Sequence, residues 1–265
     1  MAVRVSDEPP YPLPGESCFD CSFRTERGPP GLPARFRAMN SDCTLFTRTA
    51  SEFVGTADRL IEEGKYVRGE LFVKAAKHFV RPGGKILDYG CGPGRLAVLL
   101  ARSGFRVQGI DPAPGMLREA TAQDLTGLNV EFALIPEESP PLPSAGFDAV
   151  VCSSVIEYVP STADLLAAFR ETLRPNGILL LSYANRRSLW RKYANWRYPR
   201  APHLALQRHV WTPGQVRWEL RRAGFALLDG PTYFESPFDR KPLCGWLSRW
   251  AAVGTLGLVV ARRLP

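Results

Sequence analysis

Residues 86–101 read ILDYGCGPGRLAVLLA. Ile86-Leu87-Asp88-Tyr89 has the composition of the end of a buried strand: short, apolar and closed by a carboxylate. Gly90-Cys91-Gly92-Pro93-Gly94 then breaks both the strand and the helix period, as a tight turn does. From Arg95 onward, Leu96, Val98, Leu99, Leu100 and Ala101 resume with the density of a buried helix. Strand, glycine turn and helix in that order open the nucleotide-binding half of an open α/β sheet. Each glycine removes a Cβ where a ligand or the facing helix must come close. Dinucleotide enzymes carry G-x-G-x-x-G, whereas these glycines fall as G-x-G-x-G, with Asp88 two residues ahead. That spacing disfavours a nucleotide-dependent dehydrogenase.

Working outward, Arg106–Asp111 reads as a second strand. Asp111 stands 17 residues beyond Gly94, near the ~20 at which a carboxylate meets a ribose in this kind of sheet. A carboxylate suits two vicinal hydroxyls because it accepts from both. A helix is expected over Pro112–Gln123, and further strands over Asn129–Ile135, Phe147–Cys152 and Ile178–Ala184. Between the last two, Ser161–Leu173 places Leu165, Leu166, Phe169 and Leu173 on one helical face, and Arg174-Pro175-Asn176-Gly177 ends it. Thr212, with Pro213 next and Gln215 three residues on, reads as the capped start of a later helix that Gly224 ends. Phe225–Asp229 and Gly257–Ala261 supply two late strands without a long helix between them. The alternation predicts a doubly wound, seven-stranded, mostly parallel sheet with helices on both faces and the last strand antiparallel. Upstream, a helical pattern runs from about Ser51 to Val80 and stops at Arg81-Pro82-Gly83-Gly84, while residues 1–35 carry seven prolines and read as an irregular arm.

Three stretches carry a family resemblance: the D-x-G-x-G-x-G turn at 88–94, FDAVVCSSVIEYV at 147–159 and LRPNGILLLSY at 173–183. Together, continuously over about residues 80–185, the chain resembles the class I S-adenosylmethionine (SAM)-dependent methyltransferases of small-molecule type, which are Rossmann-like. The resemblance implies SAM as cofactor. It puts Asp88, Gly90, Cys91, Gly92 and Gly94 at the amino-acid end of SAM, Asp111 and Pro112 at the ribose, and Met116 near the adenosine. Ser153 follows the strand whose end faces the transferred methyl. Relatives often place an aspartate after the third strand to accept from the adenine amino group. The matching position is Pro136, which leaves Glu137 or Glu138 or a backbone carbonyl for that contact. The resemblance also makes residues 51–80 helices that cover the pocket, with Tyr66 and Arg68 facing it and Tyr66 on the acceptor side. The domain division that follows is an arm at 1–50 and a methyltransferase domain at 51–265, with 185–220 as a substrate-binding insertion.

Composition narrows the partners. With 265 residues, 45% hydrophobic and 23% charged, the chain can bury one large core. Its net charge of +8 is uneven: residues 185–265 hold 15 Lys/Arg against 4 Asp/Glu, and the remainder holds 19 against 22. All six tryptophans (190, 196, 211, 218, 246 and 250) fall in that basic end. Nucleic acid, anionic lipid or an acidic small substrate would each suit such an end, and so would a plain solvated arginine surface. No RNA-binding module is recognisable. Ser153-Ser154-Val155-Ile156 also stands where an amino-methylase would carry N/D-P-P-Y/F, so nucleic acid is disfavoured. Arg187, Trp190, Trp196 and Trp211 are therefore assigned to an apolar or aromatic, lipid-like acceptor, with peripheral contact to an anionic membrane. No apolar leader segment opens the chain, and its longest apolar run, Ala251–Ala261, is far below the ~20 residues that span a bilayer, so a cytoplasmic protein is expected. The six cysteines form no framework. Cys18-x-x-Cys21 has no second pair to complete a zinc site, so reduced thiols and no metal are expected.

Methyl transfer from a sulfonium is an in-line displacement, so the protein mainly aligns donor and acceptor. A base is needed only when the nucleophile keeps its proton, as an alcohol or phenol does. His209, His203, Glu157 and Tyr183 are the candidates, with His209 first because its ordinary pKa suits the task. O-, C- and N-acceptors all stay open. A non-catalytic SAM-binding regulator and an RNA methyltransferase are the alternative readings, and oligomeric state leaves no signature.

Overall fold

β1 (Lys85–Tyr89) lies at the centre of the sheet because the runs around it are apolar on both faces, as a doubly covered strand must be. It pairs in parallel with β2 (Arg106–Asp111) on one side and β4 (Phe147–Cys152) on the other. β3 (Val130–Leu134) continues parallel beyond β2, and β5 (Leu173–Ala184) beyond β4. β7 (Leu256–Arg263) runs antiparallel to β5 and to β6 (Phe225–Phe234), giving the order β3-β2-β1-β4-β5-β7-β6. The seven strands and the antiparallel last one are as the sequence predicts. This computed structural model describes residues 40–62, 66–135, 142, 146–197, 206–235 and 247–265. The arm to residue 39, with Cys18 and Cys21, lies outside the described residues, as do Pro136, Glu137, Glu138, His203, Cys244 and Trp246.

Successive side chains of each strand enter opposite layers. Ile86, Val151 and Leu180 pack with Phe72 of α3 (Val67–Phe79) and with Leu96 and Leu100 of α4 (Arg95–Arg102). Leu87, Val150, Leu179 and Leu181 pack with Leu166 and Phe169 of α6 (Thr162–Thr172) and with Val216 and Leu220 of α8 (Pro213–Arg222). Thr212 and Gln215 form the expected capping box at the start of α8, reciprocal bonds worth about 1 kcal/mol. At the N-terminal end of the sheet, the buried Asp148 carboxylate accepts from Lys85 N–H at 2.7 Å and from Arg81 and Arg174, tying β1, β4 and β5 together.

Three local outcomes depart from the sequence reading. Helix begins at Asn40, inside the stretch read as arm: α1 (Asn40–Arg48) is followed by α2 (Ala50–Glu62), and the single run expected over 51–80 is split before α3. α1 and α2 close on α5 (Pro114–Thr121) through Cys43, Phe46 and Phe53 against Ala113 and Met116. The approach is tight, since a Cβ on Gly115 would stand 2.4 Å from Thr47 O. Second, pairing of β5 starts at Leu173 opposite Phe147, so Arg174–Gly177 is a bulge within the strand, with Asn176 at φ +61°. Third, the insertion contains a helix, α7 (Leu189–Arg197), whose first residue donates to Ala252 O at 2.9 Å.

Strand order reverses between β1 and β4, and Tyr89 stands in register with Cys152. The turns after these two strands therefore flank one crevice at the carboxyl end of the sheet, where open α/β sheets bind ligands.

Candidate active site

Asp88, near the end of β1, is 1% exposed, and its Oδ2 is buried with no hydrogen-bond partner. Desolvation, and then the neighbouring Asp111, pushes its carboxyl up to about 7. Such an acceptor calls for a cationic donor. The turn that follows is held by Gly90 and Cys91 N–H donating to Ile110 O at 2.8 and 3.0 Å. All three glycines have left-handed φ (+69°, +53° and +76°), which accounts for glycine at each. Their surroundings differ. A Cβ on Gly90 would stand 2.4 Å from Val155 Cγ2, and one on Gly94 2.7 Å from Phe132 Cζ. A Cβ on Gly92 would meet only Met116 Sδ, at 3.9 Å. Gly90 and Gly94 thus serve close packing, while Gly92 faces the open crevice.

Asp111 Oδ2 accepts from Gly92 N–H and Oδ1 from Ala113 N–H, each at 2.8 Å. The carboxylate thereby braces the glycine turn and keeps further lone pairs for hydroxyl donors. Burial raises its pKa, opposed by these two bonds. Met116 is buried beside Gly92, Pro112 O accepts from Cys43 Sγ, and burial pushes the Cys91 thiol well up, so Cys91 fills space rather than reacting.

The turn after β4 forms the other wall. Ser154 adopts φ +55°, a strained value for a residue with a Cβ, and its N–H donates to Ser182 Oγ at 2.8 Å. Glu157 is 1% exposed, its Oε2 has no partner, and desolvation pushes its carboxyl up to about 7. Arg68 and Arg191 are the cations that act on it, and Glu235 opposes them. Arg68 pairs with Glu235, which is itself at φ +56°, and Arg191 of α7 donates to Gln207. Gln207 Nε2 reaches Tyr158 Oη at 3.5 Å, and Phe46 of α1 meets the Tyr158 ring edge-on. Tyr66 lays its ring over Gly69, and Asp88, Arg95, Arg68 and Glu235 all act electrostatically on its phenol, so it links the two walls. Among the described residues, seven buried side-chain atoms lack a partner. Five of them, on Asp88, Arg95, Ser153, Ser154 and Glu157, belong to the two turns or the residues beside them. Buried polar atoms are normally satisfied, so this concentration marks a ligand site.

The profile of a methyltransferase-domain family matches residues 64–229. The chain belongs to that family, the class I SAM-dependent methyltransferases. This methyltransferase is 38% identical over 106 residues to the ubiquinone biosynthesis O-methyltransferase of Xanthomonas axonopodis pv. citri, covering 39% of the chain and 44% of that relative. It is 30% identical over 170 residues to the protein of the same name from Acinetobacter baumannii, covering 60% of the chain and 70% of the relative. The chain thus spans less than half the length of the first of these. Its fold matches magnesium protoporphyrin IX methyltransferase from Synechocystis with bound SAH at a TM-score of 0.59 and 18% identity, over 84% of this chain and 95% of that one.

The methyltransferase's own residues fit SAM. Asp88 offers its bare oxygen to the ammonium, Gly92 the gap, Asp111 its spare lone pairs to the ribose and Met116 an apolar surface to the adenosine. Glu137, expected at the adenine, lies outside the described residues. Of the expected acceptor-side residues, Tyr66 and Glu157 converge on the crevice. Three others are placed elsewhere. His209 Nε2 is 2.9 Å from Val159 O, a bond that makes the ring a clamp on the turn rather than its base. Tyr183 is 1% exposed in the core layer on the α6/α8 side, and burial raises its phenol far beyond a useful range. Trp211, 7% exposed, fills the same layer because its strand-like register points it inward. Arg187 is exposed, Trp190 stacks on Tyr193 at 5.1 Å, and Trp196 is 76% exposed, so these lie on the surface of the insertion. Arg191, Gln207 and Glu235 escaped the sequence reading because no spacing links them. Among the described residues no His/Cys/Asp/Glu group could hold a metal.

Proposed function

We propose that the protein methylates a hydroxyl group of a small, lipid-like acceptor, with Glu157 taking the hydroxyl proton. The observation that carries this is the buried, unpartnered Oε2 of Glu157 across the crevice from the SAM-binding turn, on a carboxyl pushed up to about 7. When bound, SAM supplies a methyl group already activated by its sulfonium. Asp88, Gly92 and Asp111 fix the donor end, and the turn after β4 fixes the acceptor. As the acceptor oxygen forms its bond to the methyl carbon and the sulfur–carbon bond breaks, the oxygen's proton moves to Glu157 Oε2. A base with a pKa near the working pH is the efficient choice. The relatives named O-methyltransferases support an oxygen acceptor. Glu157→Gln should lower turnover of a catechol bearing an alkyl chain about 10²- to 10⁴-fold, with SAM affinity unchanged, and the wild-type rate should rise with pH through about 7. Full turnover in Glu157→Gln would reject the assignment.

Peripheral contact with an anionic membrane belongs to the same proposal. α7 exposes Leu189, Tyr193 and Trp196, spaced as one helical face, and Trp250 lies near because Leu189 binds Ala252. Arg186, Arg187 and Lys192 are exposed beside them. Aromatic residues with basic neighbours suit the interfacial zone of a bilayer. Among the described residues no helix is long and apolar enough to cross a membrane. Sedimentation with phosphatidylglycerol vesicles, lost at high salt and in a Tyr193→Ser/Trp196→Ser double variant, is the expected result; no binding to any vesicle would leave a freely dissolved acceptor.

A further inference from the structure

We propose that Arg95 binds the α-carboxylate of SAM and, because Asp58 holds its guanidinium, couples cofactor binding to the N-terminal helices. This rests on the SAM reading of the site. Arg95 is the first residue of α4, directly after Gly94, with its side chain 16% exposed. Its Nη2 donates to Asp58 Oδ2 of α2 at 2.6 Å, while its Nε is buried and has no partner. A guanidinium is a planar fork, so pairing at Nη2 leaves the Nε side available to a second oxygen acid.

The missing partner follows from the other end of the turn. The two unpartnered atoms at the ends of residues 88–95 have opposite character: Asp88 Oδ2 is an acceptor and Arg95 Nε a donor. Tyr66 senses both charges, so the two lie about one pocket. An amino-acid zwitterion has the complementary pair of groups, an ammonium for Asp88 and a carboxylate for Arg95. The amino end of α4 adds its positive dipole on the carboxylate side. Arg68, the other cation near Tyr66, is already joined to Glu235 on the acceptor wall.

The coupling comes from where Asp58 lies. α2 covers residues 50–62, before the 64–229 stretch that the family profile matches. The ion pair is therefore a contact between the shared domain and a segment outside the match. A carboxylate at Nε fixes the guanidinium plane that Asp58 grips, so each contact strengthens the other.

Decarboxylated SAM keeps the sulfonium and the amine but lacks the carboxylate, and calorimetry with both ligands tests the proposal. The wild type should prefer SAM. Arg95→Gln should weaken SAM by about 10- to 100-fold, the loss of one charge-assisted bond, and leave decarboxylated SAM unchanged, so the ratio collapses. Arg95→Lys, which keeps the charge beside Asp58, should recover part of it and guards against a folding defect. Hydrogen exchange should show residues 50–62 protected by SAM but not by decarboxylated SAM, and Asp58→Asn should remove the difference. Equal losses for both ligands would make Arg95 a structural residue and overturn the proposal. So would a collapse caused by Arg68→Gln instead. A wild type that binds neither ligand would remove the SAM reading itself, a result distinct from a failure at Arg95.

Discussion

Replacing Asp88 by asparagine should stabilise the ligand-free protein at alkaline pH while abolishing its cofactor binding. Burial moves this carboxyl from 3.8 to about 7. Below pH 3.8 the folded and unfolded states both hold the proton, and the shift costs nothing. Between 3.8 and 7 the unfolded state has lost its proton and the folded state has not, so stability falls as pH rises; above 7 the loss is constant. At about 1.4 kcal/mol per unit, the destabilisation is about 4 kcal/mol at pH 8 and about 1.5 kcal/mol at pH 5. Asparagine has no proton to lose, and leaving its amide unpaired costs about 1–3 kcal/mol at either pH. The stability difference between variant and wild type should therefore swing by about 2.5 kcal/mol from pH 5 to pH 8 in favour of asparagine, read as the change in urea midpoint multiplied by m. Glu157 titrates in both proteins and cancels. Calorimetry supplies the second half: wild-type SAM affinity should fall about tenfold per pH unit below 7, because the proton must leave before the ammonium enters, and Asp88→Asn should show neither the affinity nor the slope. A stability difference that stays flat with pH would refute the placement of an uncompensated carboxyl at Asp88.

The glycine turn separates binding from folding. Gly92→Val should remove SAM binding from a folded protein, whereas Gly94→Val, 2.7 Å from Phe132 at left-handed φ, should cost about 3 kcal/mol or more of stability; similar melting temperatures for the two would contradict the geometry. Among the tryptophans, Trp211→Ala should cost about 3–5 kcal/mol, and Trp196→Ala should stay within about 0.5 kcal/mol, both measured by denaturant titration.

The sheet was legible because its signals are local. Ile86–Leu87, Val150–Val151 and Leu179–Leu180 send alternate side chains into two layers, and only doubly covered strands tolerate such runs. Thr212 and Gln215 announce α8 three residues apart. The misread boundaries have physical causes too. α1 is stable through contacts with α5 that lie some seventy residues away, such as Cys43 to Pro112 O. Such tertiary contacts leave no trace in local propensity.

The cofactor wall and the acceptor wall differ in the same respect. Asp88, the three glycines and Asp111 act through backbone geometry and strand ends, so their spacing in sequence is their spacing in the crevice. The acceptor wall is gathered from Arg68, Glu157, Arg191, Gln207 and Glu235, five separated positions whose grouping exists only after the sheet has closed. Ranking His209 above Glu157 as the base followed ordinary pKa values, which favour histidine. Burial reversed that order by raising Glu157 into the same range while His209 was spent on Val159 O. A free-solution pKa ranks candidate bases poorly when the fold can move a carboxyl by several units. The decisive property is which buried atom the fold leaves without a partner, and on the acceptor wall that atom is Glu157 Oε2.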